Sequence, residues 1–108
     1  MSKLYRIFTD LLNYWGVKRM SKLYRIFTED KNRSQIKEIV SIYFSGFSII
    51  PVNGYYEGKK EKSICIEIVS YEPYGVAHSI EDICKRIKNG NKQDCVLLEV
   101  LNVETKFI

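Results

Sequence analysis

The chain is poor in the residue sets that carry catalysis. One histidine, His78, stands in 108 residues. It has no titratable partner at useful spacing, so no Ser/His/Asp or Cys/His relay can be assembled, and it reads as a surface residue at a helix start. The cysteines Cys65, Cys84 and Cys95 are odd in number and show no CxxC or Cys/His ligand spacing. That pattern gives no case for a disulfide framework or a zinc motif and reads as buried thiols in a reducing cytosol. No apolar run is long enough to span a bilayer. No catalytic residue, metal site or cofactor is assigned, and enzymatic activity is not the expected role.

Net positive charge is also scarcer than the total implies. The formal charge is +4, but the first nineteen residues carry a net +3, which leaves +1 for Met20–Ile108. A nearly neutral domain gives no bulk-charge argument for nucleic-acid binding. What the chain does have is a repeat: MSKLYRIFT at Met1–Thr9 recurs unchanged at Met20–Thr28. The domain expected to fold is therefore 20–108, with 1–19 a duplicated leader outside the core. The leader reads as a short duplication or upstream start, since codons for Trp15-Gly16 carry a run of G shortly before Met20. Alternatively it is an arm, with Leu4, Ile7, Phe8, Leu11 and Trp15 at helical spacing beside basic residues. Asp10 and Asn13 interrupt any secretory apolar core.

Within the domain, hydrophobic periodicity predicts six elements. Lys22–Thr28 alternates as a strand, Tyr24 and Ile26 against Leu23, Arg25 and Phe27. Asn32 and Gln35 have capping-box spacing, and Ile36, Ile39, Val40, Tyr43 and Phe44 form one helical face closed by Gly46. Phe47–Tyr56 is strand-like, with Pro51 pointing to an edge or a bulge. Glu57–Glu61 reads as a turn and Ser63–Ser70 as the returning strand. After a loop at Tyr71–Ala77, Ser79 and Asp82 repeat the capping spacing, Ile80, Ile83, Cys84 and Ile87 line a second helix, and Gly90 closes it. Asp94–Val103 is the last strand.

The order β-α-β-β-α-β is the ferredoxin-like pattern, an α+β fold. Two right-handed crossovers put both helices on one face of a four-stranded antiparallel sheet. The opposite face then lacks cover within one chain. Its occupants come from Tyr24 or Phe27, Glu67, Val69, Leu97 and Leu101, and such a face commonly meets a partner. A homo-oligomer, dimer or trimer, is expected. Glu67 and Glu99 fall on adjacent strands, where a carboxylate pair either binds a metal or is merely solvated.

The segment Gly54-Tyr55-Tyr56-Glu57-Gly58-Lys59-Lys60-Glu61-Lys62-Ser63 gathers paired aromatics, glycines and three lysines. On the plain reading it is a twisted hairpin with a solvated tip. On the functional reading the tyrosine rings stack on a ligand, Lys59, Lys60 and Lys62 attract phosphate, the backbone at Gly54 and Gly58 approaches closely, and Glu61 and Ser63 orient a ribose or base. The segment resembles a hairpin, G-[YW]-[WY]-x-G-x-x-E-x-S, of a family of small proteins found in phages and other mobile elements. Ile66-Glu67-Ile68-Val69 fits that family's following strand, and Asn91-Lys92-Gln93-Asp94-Cys95-Val96-Leu97-Leu98 its N-x-Q-x-x-V-L lead into the last strand. More broadly the domain is similar to the PII and CutA group, though the nucleotide-binding loops of that group are not recognisable here. The resemblance implies a noncatalytic oligomeric binding protein that captures a small anionic ligand, such as a nucleotide signal in phage counter-defence. The alternative is an inhibitor of a host protein, acting through the sheet face or an edge strand. Either would be cytoplasmic.

Overall fold

The computed structural model describes residues 19–71, 76–106 and 108. Its elements are β1 (Arg19–Glu29), α1 (Arg33–Tyr43), β2 (Ser48–Tyr56), β3 (Lys59–Ser70), α2 (Val76–Asn91) and β4 (Leu97–Thr105). The strands form one antiparallel sheet in the order β2-β3-β1-β4. This is the βαββαβ ferredoxin-like architecture. The second copy of the repeat lies wholly inside β1. Except for Arg19, the leader lies outside the described residues, as do Pro73 and Gly75 of the predicted loop.

Alternation decides the two faces of the sheet. Tyr24 and Ile26 of β1 and Ile64, Ile66 and Ile68 of β3 are buried against Ile36 and Val40 of α1 and Val76, Ile80, Ile83 and Ile87 of α2. Most of this core is isoleucine, which suits the pleated, half-buried surface of a strand. Each fully buried aliphatic side chain contributes roughly 1.5–3 kcal/mol relative to exposure.

The ends of the elements depart from the sequence pattern, each for a local reason. Asn32 does precede α1, but with left-handed backbone (φ 57°) and no side-chain cap. Its Nδ2 instead donates to Asn91 Oδ1 across the fold, at 3.0 Å. The predicted capping box therefore does not form. Gly46 does not end α1 in left-handed geometry. Phe44 does so in extended geometry, its N–H returning to the Val40 carbonyl. The turn after β2 is shorter than the predicted Glu57–Glu61. Only Glu57 (φ 50°) and Gly58 (φ 76°) form it, and β3 begins at Lys59. Two adjacent positive φ angles match the tight turn whose twist suits paired strands.

Helix α2 starts at Val76, so Ser79 lies within it and caps nothing. Gly90 is helical too, and the end falls at Lys92 (φ 53°). There Gln93 N–H donates to the Lys88 carbonyl and Lys92 N–H to the Asn89 carbonyl. That is the double bond of a Schellman termination with lysine where glycine is usual. Strand β4 begins at Leu97 rather than Asp94, leaving Cys95 outside it and exposed.

Candidate functional site

The pairing of β1 with β3 ends at Glu29 and Ser63. Beyond that row β2 and β3 continue alone to Tyr56 and Lys59, so the predicted hairpin projects as a two-stranded ribbon. One backbone bond, Asp30 N–H to the Lys62 carbonyl at 3.0 Å, ties its base to the end of β1. All nine predicted binding residues, Gly54, Tyr55, Tyr56, Gly58, Lys59, Lys60, Glu61, Lys62 and Ser63, lie in this ribbon or its turn. They do not share one surface. The register pairs Tyr55 with Lys60 and Asn53 with Lys62 on the face that continues the helix side. Tyr56 pairs with Lys59 and Gly54 with Glu61 on the other face, which Ser63 shares.

The consequences are electrostatic and steric. One face carries an exposed tyrosine and two lysines with no carboxylate on the ribbon itself; Asp30 at its base, bound to Arg33, lies within charge range of Lys62. The other balances Lys59 against Glu61. Tyr55 and Tyr56 are 72% and 67% exposed, so neither ring is committed to packing. Gly54 has a steric role: a Cβ there would lie 3.1 Å from Ser63 Oγ, so its absence lets the serine hydroxyl lie across the ribbon.

A second constellation occupies the open face of the sheet. Glu67 on β3, Arg25 on β1 and Glu99 on β4 form one cross-strand row. Arg25 Nε lies 3.4 Å from Glu67 and its Nη1 3.7 Å from Glu99. The guanidinium also stands 5.1 Å from the centre of the Phe27 ring, in cation–π range. Arg25 was not singled out from the sequence as the partner of these acids. It converts the supposed carboxylate pair into a bridged triad with net charge −1. Among the described residues no set of three His, Cys, Asp or Glu side chains could hold a metal ion. The register sets apolar rows on either side of the triad: Ile50, Cys65, Phe27 and Leu97, then Val69, Leu23 and Leu101.

On the helix side, Tyr43 of α1 donates its hydroxyl proton to Asp82 of α2. Arg86 approaches the same carboxylate at 3.4 Å and lies over the Tyr43 ring. The Tyr43 bond, then Arg86, holds the Asp82 carboxyl below its ordinary range, and the same bond raises the Tyr43 phenol. His78 is exposed one turn before Asp82. The cluster is a clamp between helices, on elements that carry none of the ribbon residues. Of the thiols, Cys65 is buried and burial pushes its pKa up, against the opposing pull of Arg25. Cys84 is pushed up to about 11 by burial and by Glu81. Neither is an activated nucleophile. Between α2 and the start of β4 lies a groove of about 270 Å³, lined by Glu81, Cys84, Lys85, Lys88, Cys95, Val96 and Leu98.

With this geometry in view, known proteins supply a fold. No family model and no curated protein matches the chain. Solved structures do. A phage SAM lyase in complex with S-methyl-5'-thioadenosine aligns at 16% identity over 81% of this chain and 90% of its own, with a TM-score of 0.62. The PII-like nitrogen regulatory protein CPII of Thiomonas intermedia, bound to ADP, AMP and bicarbonate, aligns at 10% identity over 84% and 98%, with a TM-score of 0.60. A PII-like signalling protein of Thermus thermophilus aligns at 21% identity over 82% and 91%, with a TM-score of 0.55. The domain thus has the ferredoxin-like fold found in PII-like proteins. Among the described residues no helix is long and apolar enough to cross a membrane.

Proposed function

We propose that this chain is a noncatalytic, oligomeric binding protein that captures a small anionic ligand of the nucleotide class, with the β2–β3 ribbon as its grip. The observation that carries the reading is the segregation within the ribbon. Tyr55, Lys60 and Lys62 share one face of a protruding hairpin, a stacking ring beside two phosphate-attracting ammonium groups with no carboxylate on that face of the ribbon itself. Gly54, Tyr56, Lys59, Glu61 and Ser63 lie on the other face, so a small ligand held by Tyr55, Lys60 and Lys62 does not meet Glu61 or Ser63. Two solved neighbours of this fold, the SAM lyase and CPII, hold adenine-containing ligands. That supports an adenine nucleotide as the first probe.

Titration calorimetry of the full chain with ADP and AMP tests the reading. Saturable binding is expected. Tyr55→Ala should weaken it by about 1–3 kcal/mol, the range for one base stacked on an aromatic ring. Lys60→Ala with Lys62→Ala should remove most of its salt dependence. Binding unaltered by both changes would refute the ribbon assignment.

The exposed apolar residues of β4 favour a second reading, inhibition of a host protein through the sheet face or edge. Native mass spectrometry separates the two: a retained small ligand and self-association favour the first, and a monomer with neither favours the second.

A further inference from the structure

The two edges of the sheet are not equivalent. β2 is protected against strand addition by Pro51, which has no N–H, and by the ribbon that runs on past the sheet. β4, the opposite edge, reads LLEVLNVET and contains neither proline nor lysine. It also exposes apolar side chains on both of its faces: Leu97 (59%) and Leu101 (38%) on the open side, Val100 (49%) on the helix side. A strand that only faced solvent on its open side would keep Val100 covered. Among the described residues nothing pairs with its outer edge.

We infer that the outer edge of β4 binds β4 of a second copy of this chain, antiparallel about a two-fold axis at Leu101, to make one continuous eight-stranded sheet. The inference rests on the oligomer reading above and names its surface.

Centring on Leu101 is the one two-fold register that overlaps Leu97–Thr105 along its whole length, Leu97 meeting Thr105 and Glu99 meeting Val103. It places Leu101 against Leu101. The open-face row Val69–Leu23–Leu101 then runs on as Leu101–Leu23–Val69 of the second copy, six apolar residues without a break. Centring on Glu99 would oppose two carboxylates, which is destabilising. On the helix side the chosen register puts Glu104 of the second copy opposite Leu98. Leu98 lines the groove that also holds Lys85 and Lys88. The carboxylate is thereby brought to the lysine-bearing side, and the symmetry gives the same meeting twice. The shape of the edge, its apolar row and its charges all fit one occupant.

The test is cross-linking of the full chain carrying Leu101→Cys with Cys84→Ser and Cys95→Ser, oxidised with copper–phenanthroline. Directly opposed residues of an antiparallel pair have Cα atoms about 4.5–5.5 Å apart, within disulfide reach. A covalent dimer is expected, with none from Val69→Cys in the same background. In sedimentation, Leu101→Lys, which opposes two ammonium groups, should weaken the dimer about tenfold or more. If the parent chain self-associates but Leu101→Cys does not cross-link and Leu101→Lys has no effect, the β4 pairing is overturned and the oligomer reading stands. Cross-linking at Val69→Cys instead would replace edge pairing by face-to-face stacking. A parent chain that is monomeric at high micromolar concentration overturns both readings.

Discussion

Asn91 is 3% exposed and uses its whole amide. Its Oδ1 accepts from Asn32 Nδ2 at 3.0 Å, and its Nδ2 donates to Gln93 Oε1 at 3.1 Å and to Thr28 Oγ1 at 3.3 Å. The Thr28 hydroxyl in turn donates to Gln93. These bonds tie the end of α2 to the end of β1 and the start of α1. Asn91→Ala deletes three of them; of the partners only Thr28 is buried, and its hydroxyl keeps the bond to Gln93. At about 0.5–1.5 kcal/mol net for each bond, the loss of three should be about 2–4 kcal/mol. In a domain of this size that lowers Tm by roughly 10–20 °C. Asn91→Asp should fail differently. It keeps the acceptor but sets a carboxylate against the oxygen of Gln93, so its folded pKa rises above the unfolded value near 3.9. A raised pKa means its stability is highest below that value and lost as pH rises through the folded pKa. Urea unfolding from pH 4 to 8 reads both variants. An Asn91→Ala loss under about 0.5 kcal/mol, or an Asn91→Asp chain with the pH profile of the parent, would refute the network as a stabilising unit.

Lys92→Gly should stabilise the chain by about 0.5–1 kcal/mol, because lysine holds left-handed backbone at the Schellman position; a lower urea midpoint would contradict this. For the helix clamp, Asp82 has a lowered folded pKa, so its contribution is present above the unfolded value of 3.8 and lost as pH falls through the folded one. Tyr43→Phe should flatten that acid limb in thermal melts, and an unchanged limb would assign it elsewhere. Ile66→Ala, at a fully buried position, should cost about 2–5 kcal/mol, whereas Ile42→Ala, 63% exposed, should stay within about 0.5; equal effects would mean that the core is misplaced.

The element order was legible because it depends on period alone. Ile36 and Val40 recur every four residues and Ile64, Ile66 and Ile68 every two, and burial follows both patterns. The element ends were not, because they depend on contacts between segments far apart in sequence. Asn32 looks like a cap, yet its amide is taken by Asn91, fifty-nine residues on. Gly90 looks like a terminator, but Gln35 packs against its Cα, where an added Cβ would lie 3.4 Å from the glutamine amide, and the helix runs past it to Asn91. The N-x-Q lead into the last strand owes its form to the same network, since Asn91 and Gln93 both point back to Thr28. At the candidate site the composition of the ribbon was readable, but the division of its residues between two faces needed the register. Arg25 had one available signal: it occupies the same alternation class as Leu23 and Phe27, which places it on the face that carries Glu67.

That arginine also restricts what can cover the open face. An apolar sheet face by itself accepts many partners in many registers. Here the centre is a guanidinium held by two carboxylates, with its Nε enclosed and making no hydrogen bond. A surface that covered Arg25 with hydrocarbon while displacing either glutamate would leave a buried charge uncompensated, which costs several kcal/mol. A surface that leaves the row intact meets apolar contacts on both sides of it. Edge addition at β4 lies beside the face and does not cover it, so it leaves the row intact. It lengthens the apolar row through Leu101 and leaves Glu99 beside Val103 of the second copy, in place against Arg25. The triad is then retained at the middle of each half of the extended sheet, and the ribbon remains on the far edge of each, open to a ligand.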